Sequence, residues 1–323
     1  MRIHFYLPKG HLPSPERQAS WMEGRIPDLL GGGKSASAQS WIFQTWAELC
    51  GQADIEMVHE LPASGIIVTL SNFLPDGFLP QHSQFIAAVT ADFLPHPGAH
   101  VQIVQNAAHA RRLPGSIFMP HWPQPNLVPR DPARGTRFDT IAFFGDPSNL
   151  AGELSSPAFA RELESRAGVR FEIHENTRWH DYSDVDAVLA VRDFSRARHL
   201  NKPATKLYNA WLAGVPLIGG RDSAFSAEGH EGADYLVARS VDDCISHVCR
   251  LKKNPASRKA IVDAGSAQAA MRSRDAVRLL WQELCSSELP TRRDAWKKKP
   301  PLQQAVLRQL KRGIYFLDKK IRS

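Results

Sequence analysis

With 323 residues, 43% of them hydrophobic, the chain can bury two cores, and its net charge of +7 is far from evenly spread. Residues 291–323 hold 11 Lys/Arg against 2 Asp, a balance of +9, so subtraction leaves the first 290 near −2. That excludes a chain-wide basic footprint and, with it, nucleic acid as an expected partner. No run approaches the roughly 18 apolar residues of a membrane span. The start at Met1–Pro8 reads as a strand and not as a secretion signal. Four cysteines (Cys50, Cys244, Cys249, Cys285) include no Cys-x-x-Cys pair, which points to reduced thiols and a cytoplasmic protein.

In chain order, Ile3–Leu7 is the first predicted strand, and Gly31-Gly32-Gly33 leads into a helix over Ala36–Cys50. Gly65–Leu70 and Phe85–Val89 are short apolar runs of the kind buried on both faces, and Val101–Gln105 is a further strand. Prolines at 120, 123, 125, 129 and 132 then block helix and central strand alike. We assign 1–125 to a first domain and 126–139 to a proline-rich linker. A second α/β rhythm follows: strand Thr140–Gly145, helix Ser156–Ala167, strand Arg170–His174 and strand Asp186–Arg192. A lysine-bearing helix, runs at Val215–Ile218 and Tyr235–Val237, and helices from Val241 to about Cys285 complete a second domain, 140–290. The expected fold class is α/β, with two parallel-sheet, Rossmann-like domains.

The tail, 291–323, has its own pattern. At 100° per residue Leu302, Val306, Leu307, Leu310, Ile314 and Leu317 fall on one arc, with Arg308, Lys311 and Arg312 opposite. Lys297-Lys298-Lys299 precede this helix, and Lys319, Lys320 and Arg322 end it. Such a basic amphipathic helix can lie on an anionic membrane surface, here through residues 297–323, or fold back on the first domain.

The stretch Asn201–Gly220 carries the most chemistry. Lys202, Thr205 and Lys206 stand at the front of a helix whose Leu207, Trp211 and Leu212 face a core, and Gly214 is placed to stop it. Free amides and the positive end of the helix dipole favour an anion there, and the two lysines add full charges. Arg192 and Gly145 end apolar strands, where ligands collect in open α/β sheets: the first is a phosphate partner, and the second allows close approach to the backbone.

Thr205-Lys206-Leu207 and Ala213-Gly214-Val215-Pro216 resemble the donor-binding motif of GT-B glycosyltransferases, in which two Rossmann-like domains face each other across a cleft. The phrases Val104-Gln105-Asn106, Pro120-His121-Trp122-Pro123 and Ile141–Gly145 are similar to a bacterial, family 1/4-like branch linked to surface polysaccharide. The resemblance covers roughly Thr140–Cys285, and the first domain shares only rhythm and position. It implies a metal-independent hexosyl or related transferase. The donor would be a nucleotide-diphosphate sugar, with no further cofactor, and the acceptor a glycan or lipid-linked hydroxyl. Asn209 stands where many members have a ribose-binding glutamate, and Glu228 is a candidate to take over that contact. For an inverting course the candidate general bases are Asp92, His96 and His121. Two alternatives stay open: a non-catalytic glycan- or nucleotide-binding relative, and a nucleotide-sugar epimerase.

Two look-alikes are set aside. Gly31-Gly32-Gly33-Lys34-Ser35 imitates a phosphate-binding loop but has Asp28 where that motif needs glycine. Asp184-Val185-Asp186 imitates a metal-binding Asp-x-Asp but opens a strand instead of following one. With no tight His/Cys/carboxylate cluster either, no metal is expected.

Overall fold

The computed structural model describes residues 2–22, 35–52, 54–175 and 178–322. The chain forms two compact units, one of residues 1–120 with 277–323 and the other of 121–276. Gly31–Lys34 of the loop-like motif lie outside the described residues.

The first unit is built on six parallel strands, β1 (Ile3–Tyr6), β2 (Ile55–Val58), β3 (Gly65–Leu70), β4 (Gln84–Val89), β5 (Val101–Val104) and β6 (Ile117–Phe118), in the order β2-β1-β3-β4-β5-β6. The central strands β3 and β4 pair in register from Gly65↔Gln84 to Leu70↔Val89 and are buried almost throughout, as parallel strands covered on both faces must be. The helices α1 (Pro15–Met22), α2 (Ala36–Ala38), α3 (Gln44–Leu49) and α4 (Ala107–Ala110) belong to this unit. The helix expected over Ala36–Cys50 is present, but a π turn at Gln39–Phe43 interrupts it. The edge strands β2 and β6, short and only half-buried, were not expected from the sequence.

The second unit has five parallel strands, β7 (Thr140–Phe144), β8 (Arg170–His174), β9 (Ala187–Ala190), β10 (Leu217–Gly219) and β11 (Leu236–Val237), in the order β11-β10-β9-β7-β8. Its helices are α5 (Pro157–Ala167), α6 (Thr205–Ala213), α7 (Ser223–Glu228), α8 (Val241–Lys253) and α9 (Pro255–Ala269). The strand alternation sorts two cores. Ile141, Phe143, Leu189 and Ile218 pack with Phe159 and Leu163 of α5 and Ile245 and Val248 of α8. Ala142, Phe144, Val188 and Leu217 pack on the other face with Leu207 and Trp211 of α6.

The domain limits differ from the sequence reading at both ends, for physical reasons. Residues 126–139 are not a separate linker but part of the second unit. Val128 exchanges backbone hydrogen bonds with His180 and Tyr182, and the Arg130 N–H donates to Ala213 O. Residues 277–290 belong to the first unit, because Trp281 of α10 (Arg274–Glu283) sits against Phe5 and Trp41, ring centroids 6.3 Å away in both cases. The chain then continues through α11 (Leu289–Lys297) into α12 (Pro301–Arg322). Among the described residues no helix is long and apolar enough to cross a membrane.

Candidate functional site

In the second sheet the strand order reverses at β7: β8 is laid on one side and β9 on the other. The carboxyl ends of β7 and β9 therefore border the crevice where open α/β sheets bind ligands. Gly145 follows β7, Arg192 follows β9, and the loop after β9 leads to α6.

The start of α6 is built differently from its neighbours. Ser156, Asp222, Ser240 and Asn254 accept hydrogen bonds from first-turn amides and cap α5, α7, α8 and α9. Ala204 precedes α6 and offers no side-chain cap, and the first turn holds no acid. Thr205 Oγ1 is buried there without a hydrogen-bond partner among the described residues. The far end closes as expected, with Gly214 in the left-handed region at φ +70°.

Lys206 reaches back over β7. Its Nζ is 4.9 Å from the Phe143 ring centroid and 3.4 Å from where a Cβ on Gly145 would stand. Gly145 has φ +143°, a conformation that side-chain-bearing residues rarely adopt. Sequence positions 61 residues apart, Gly145 and Lys206, thus meet at the switch point. Lys202 is half-exposed in the approach to α6, its amide bonded to His199 O.

Arg192 is held rigidly. Its Nε donates to Asp222 Oδ2 at 2.9 Å and its Nη1 to Asn149 Oδ1 at 3.2 Å. Asp222 is buried and does double duty, since its Oδ1 also accepts the Ala224 amide that caps α7. A small recess of about 10 Å³, room for about one water molecule, lies here, lined by Arg192, Asp193, Ser195, His199, Gly220 and Asp222 among others. Sequence reasoning missed Asn149 and Asp222. The Asp222-Ser223 pair ahead of a short helix is an N-cap signature that marks the second of them.

Two expected donor contacts have other partners. Asn209 is buried, and its Oδ1 accepts the Gln124 N–H at 3.0 Å, tying the segment after Pro120 to α6. Glu228 Oε2 accepts from Tyr208 Oη at 3.0 Å and from Arg272 Nε at 3.0 Å and Nη2 at 2.6 Å, with its side chain only 4% exposed. Burial and the Glu228 charge push the Tyr208 phenol well above its usual range. This triad clamps α6, α7 and the turn after α9, so Glu228 is committed inside the unit.

The base candidates also separate. In the first unit, the exposed Asp92 accepts a long hydrogen bond from Gln105 Nε2, at 3.5 Å. His96 is buried with both ring nitrogens engaged: Nδ1 accepts the Gly98 N–H at 3.0 Å and Nε2 donates to Pro75 O at 3.0 Å. Burial also pushes its pKa down. With no lone pair left for a proton, His96 is corrected from base to loop staple. His121, in the second unit, donates from Nδ1 to Trp122 O at 2.7 Å, which directs its acceptor lone pair to Nε2.

The Asp-x-Asp look-alike has a structural explanation. Asp186 is buried between Arg130 and Arg134 and also accepts the Asp139 and Thr140 amides, while Asp184 pairs with Arg178. Among the described residues no three His, Cys, Asp or Glu side chains cluster as a metal site would.

Residues 153–280 match the protein family described as glycosyl transferase-like. No curated protein sequence matches the chain. Among solved structures, Anabaena HepE in complex with UDP aligns with a TM-score of 0.54 and 11% identity, over 89% of this chain and 100% of its own. AviGT4, a glycosyltransferase involved in avilamycin A biosynthesis, aligns at 0.51 and 15%, over 82% and 92%. TarM aligns at 0.50 and 12%, over 70% of this chain but only 56% of the TarM chain. The chain therefore carries a glycosyl transferase-like domain and has the GT-B fold of glycosyltransferases of known structure.

Proposed function

We propose that the protein transfers a hexose or related sugar from a nucleotide-diphosphate sugar to a hydroxyl of a glycan or lipid-linked acceptor, in cell-surface polysaccharide synthesis. The observation that carries this reading is the meeting of the uncapped α6 N-terminus, Lys206 and Gly145 at the switch point of a glycosyl transferase-like domain. Lys202, Thr205 and Lys206 hold the diphosphate, and the fixed Arg192 guanidinium supports it from β9. When the bond between the sugar's anomeric carbon and the diphosphate oxygen breaks, its electron pair stays on the diphosphate. The lysines and helix dipole stabilise that charge without a metal, in a preorganised arrangement of the kind that gives the largest catalytic gains.

The acceptor oxygen forms the new bond to the anomeric carbon and loses its proton. In an inverting course Asp92 or His121 receives it. UDP-sugars are the donors to try first, because the similar HepE and TarM structures hold UDP. Four free cysteines support a cytoplasmic place of action.

The test is thermal stabilisation of the full chain by UDP-, GDP-, ADP-, CMP- and dTDP-sugars, followed by transfer of radiolabelled sugar to glycan acceptors, with Lys206→Ala alongside. A shift of several degrees from one nucleotide, lost in the variant and accompanied by transfer, is expected. Donor binding without any turnover or hydrolysis would overturn the transferase in favour of a binding protein, and donor conversion without an acceptor would favour an epimerase.

A further inference from the structure

The last helix docks the wrong way round for a helix that belongs to a core. In α12 the residues that face the first unit are polar: Gln304 is buried and donates to Trp296 O and Lys299 O, and the Arg308 guanidinium lies over the Trp296 ring. One turn on, Lys311 Nζ donates to Ala99 O and His100 O at 2.9 and 3.0 Å, and Tyr315 Oη donates to Asp76 Oδ1 at 3.0 Å. These four positions share one helical face. The apolar stripe is on the other: Leu302, Val306 and Leu310 are 77%, 51% and 59% exposed. Apolar side chains at i, i+4 and i+8, turned to water while polar anchors hold the other face, form a surface suited to an apolar environment.

We propose that this outward stripe seats the protein on an anionic lipid surface. Charge decides between lipid and a second copy of the chain. Residues 297–322 hold nine Lys/Arg and a single acid, Asp318; Arg308 and Lys311 are engaged on the docked face, while Lys297 and Lys298 are exposed directly before the stripe. Two copies joined stripe to stripe would set these cations against each other, whereas acidic headgroups answer them while the acyl region takes Leu302, Val306 and Leu310. The polar anchors keep α12 parallel to the unit's surface, so the helix lies in the interface and does not cross it. The proposal does not depend on the transferase chemistry.

The test is co-sedimentation of the full chain with vesicles of phosphatidylcholine and of equimolar phosphatidylcholine and phosphatidylglycerol. Alongside run Leu302→Gln/Val306→Gln/Leu310→Gln, which changes only exposed side chains, and Lys297→Glu/Lys298→Glu. The expected result is binding to the anionic vesicles that each variant weakens by about tenfold or more, with melting temperature kept. Failure of the wild type to sediment with anionic vesicles, or equal binding by the triple variant, would overturn it. So would sedimentation velocity showing a lipid-free dimer that the triple variant dissolves, which would assign the stripe to a second copy.

Discussion

Lys206 Nζ packs in van der Waals contact, 3.4 Å, with the point where a Cβ on Gly145 would stand. The glycine after β7 and the lysine of α6 thus meet, with the cation resting over Phe143 at the mouth of the sheet. Gly145→Ala strains a backbone at φ +143°, at a stability cost on the order of 2 kcal/mol, while its Cβ meets Lys206 only at ordinary contact distance. Lys206→Ala removes the charge with little effect on folding. We expect roughly a hundredfold loss of transfer rate for Lys206→Ala and a smaller loss, with a lower melting temperature, for Gly145→Ala. Donor titrations and thermal melts on both variants check this, and a Lys206→Ala enzyme with wild-type kinetics would show that the cation has no functional role.

Glu228 distinguishes a structural role from a donor contact. Its carboxylate takes three hydrogen bonds from Tyr208 and Arg272, and the side chains of both ions are largely buried, so removing it leaves a buried guanidinium without its counter-charge. Glu228→Ala is expected to cost about 3 kcal/mol in urea unfolding of the second unit. Below the unfolding range, KM for the donor stays within about twofold of wild type, as expected of an interaction that does not touch the donor. A large rise in KM with unchanged stability would return Glu228 to the ribose.

The sheet architecture was legible in the sequence because it depends on neighbours. Ile141 and Phe143 against Ala142 and Phe144 is an alternation readable in place, and Gly214 stops α6 by its own φ. What stayed hidden depends on partners far along the chain. Asp186 imitated a metal motif because Arg130 and Arg134, more than fifty residues earlier, cannot be paired with it by spacing. Glu228 meets Arg272 44 residues on, and His96 is pinned by a carbonyl at Pro75. The two faces of α12 were plain from periodicity. Which face docks was not, because the carbonyls of Ala99 and His100 choose it.

Asp222 couples the cap of α7 to the aim of Arg192. Asp222→Asn keeps an acceptor for the Ala224 amide and loses most of the ionic hold on Arg192. Asp222→Ala loses both, and the missing cap alone costs about 1 kcal/mol. If Arg192 supports the diphosphate, both variants weaken donor binding to a similar extent, while only the alanine variant lowers stability appreciably. Isothermal titration with the cognate donor beside thermal melts separates the two effects. Donor affinity that tracks stability, and not the charge at 222, would reduce Arg192 to a strut.

Acid should act on the first unit through His100. Its Nδ1 accepts the Ile86 N–H, its ring stacks on Phe85, and Trp296 meets it edge-on. Burial, with Lys311 and Arg308 close by, pulls its pKa down to about 3. An unfolded histidine titrates near 6.5, so between these values the unfolded chain binds the extra proton and the folded chain does not. The contribution is complete above about pH 6.5 and falls away as pH drops toward 3. At pH 5 the loss amounts to about 2 kcal/mol. His96, buried and also shifted down, adds in the same direction. Urea unfolding of the first unit at pH 7 and pH 5, followed by Trp281 and Trp41 fluorescence, reads this directly. His100→Asn, which preserves an acceptor for Ile86 but cannot be protonated, is expected to be less stable at pH 7 and to lose much of the pH dependence. An unchanged slope in that variant would assign the acid sensitivity to other groups.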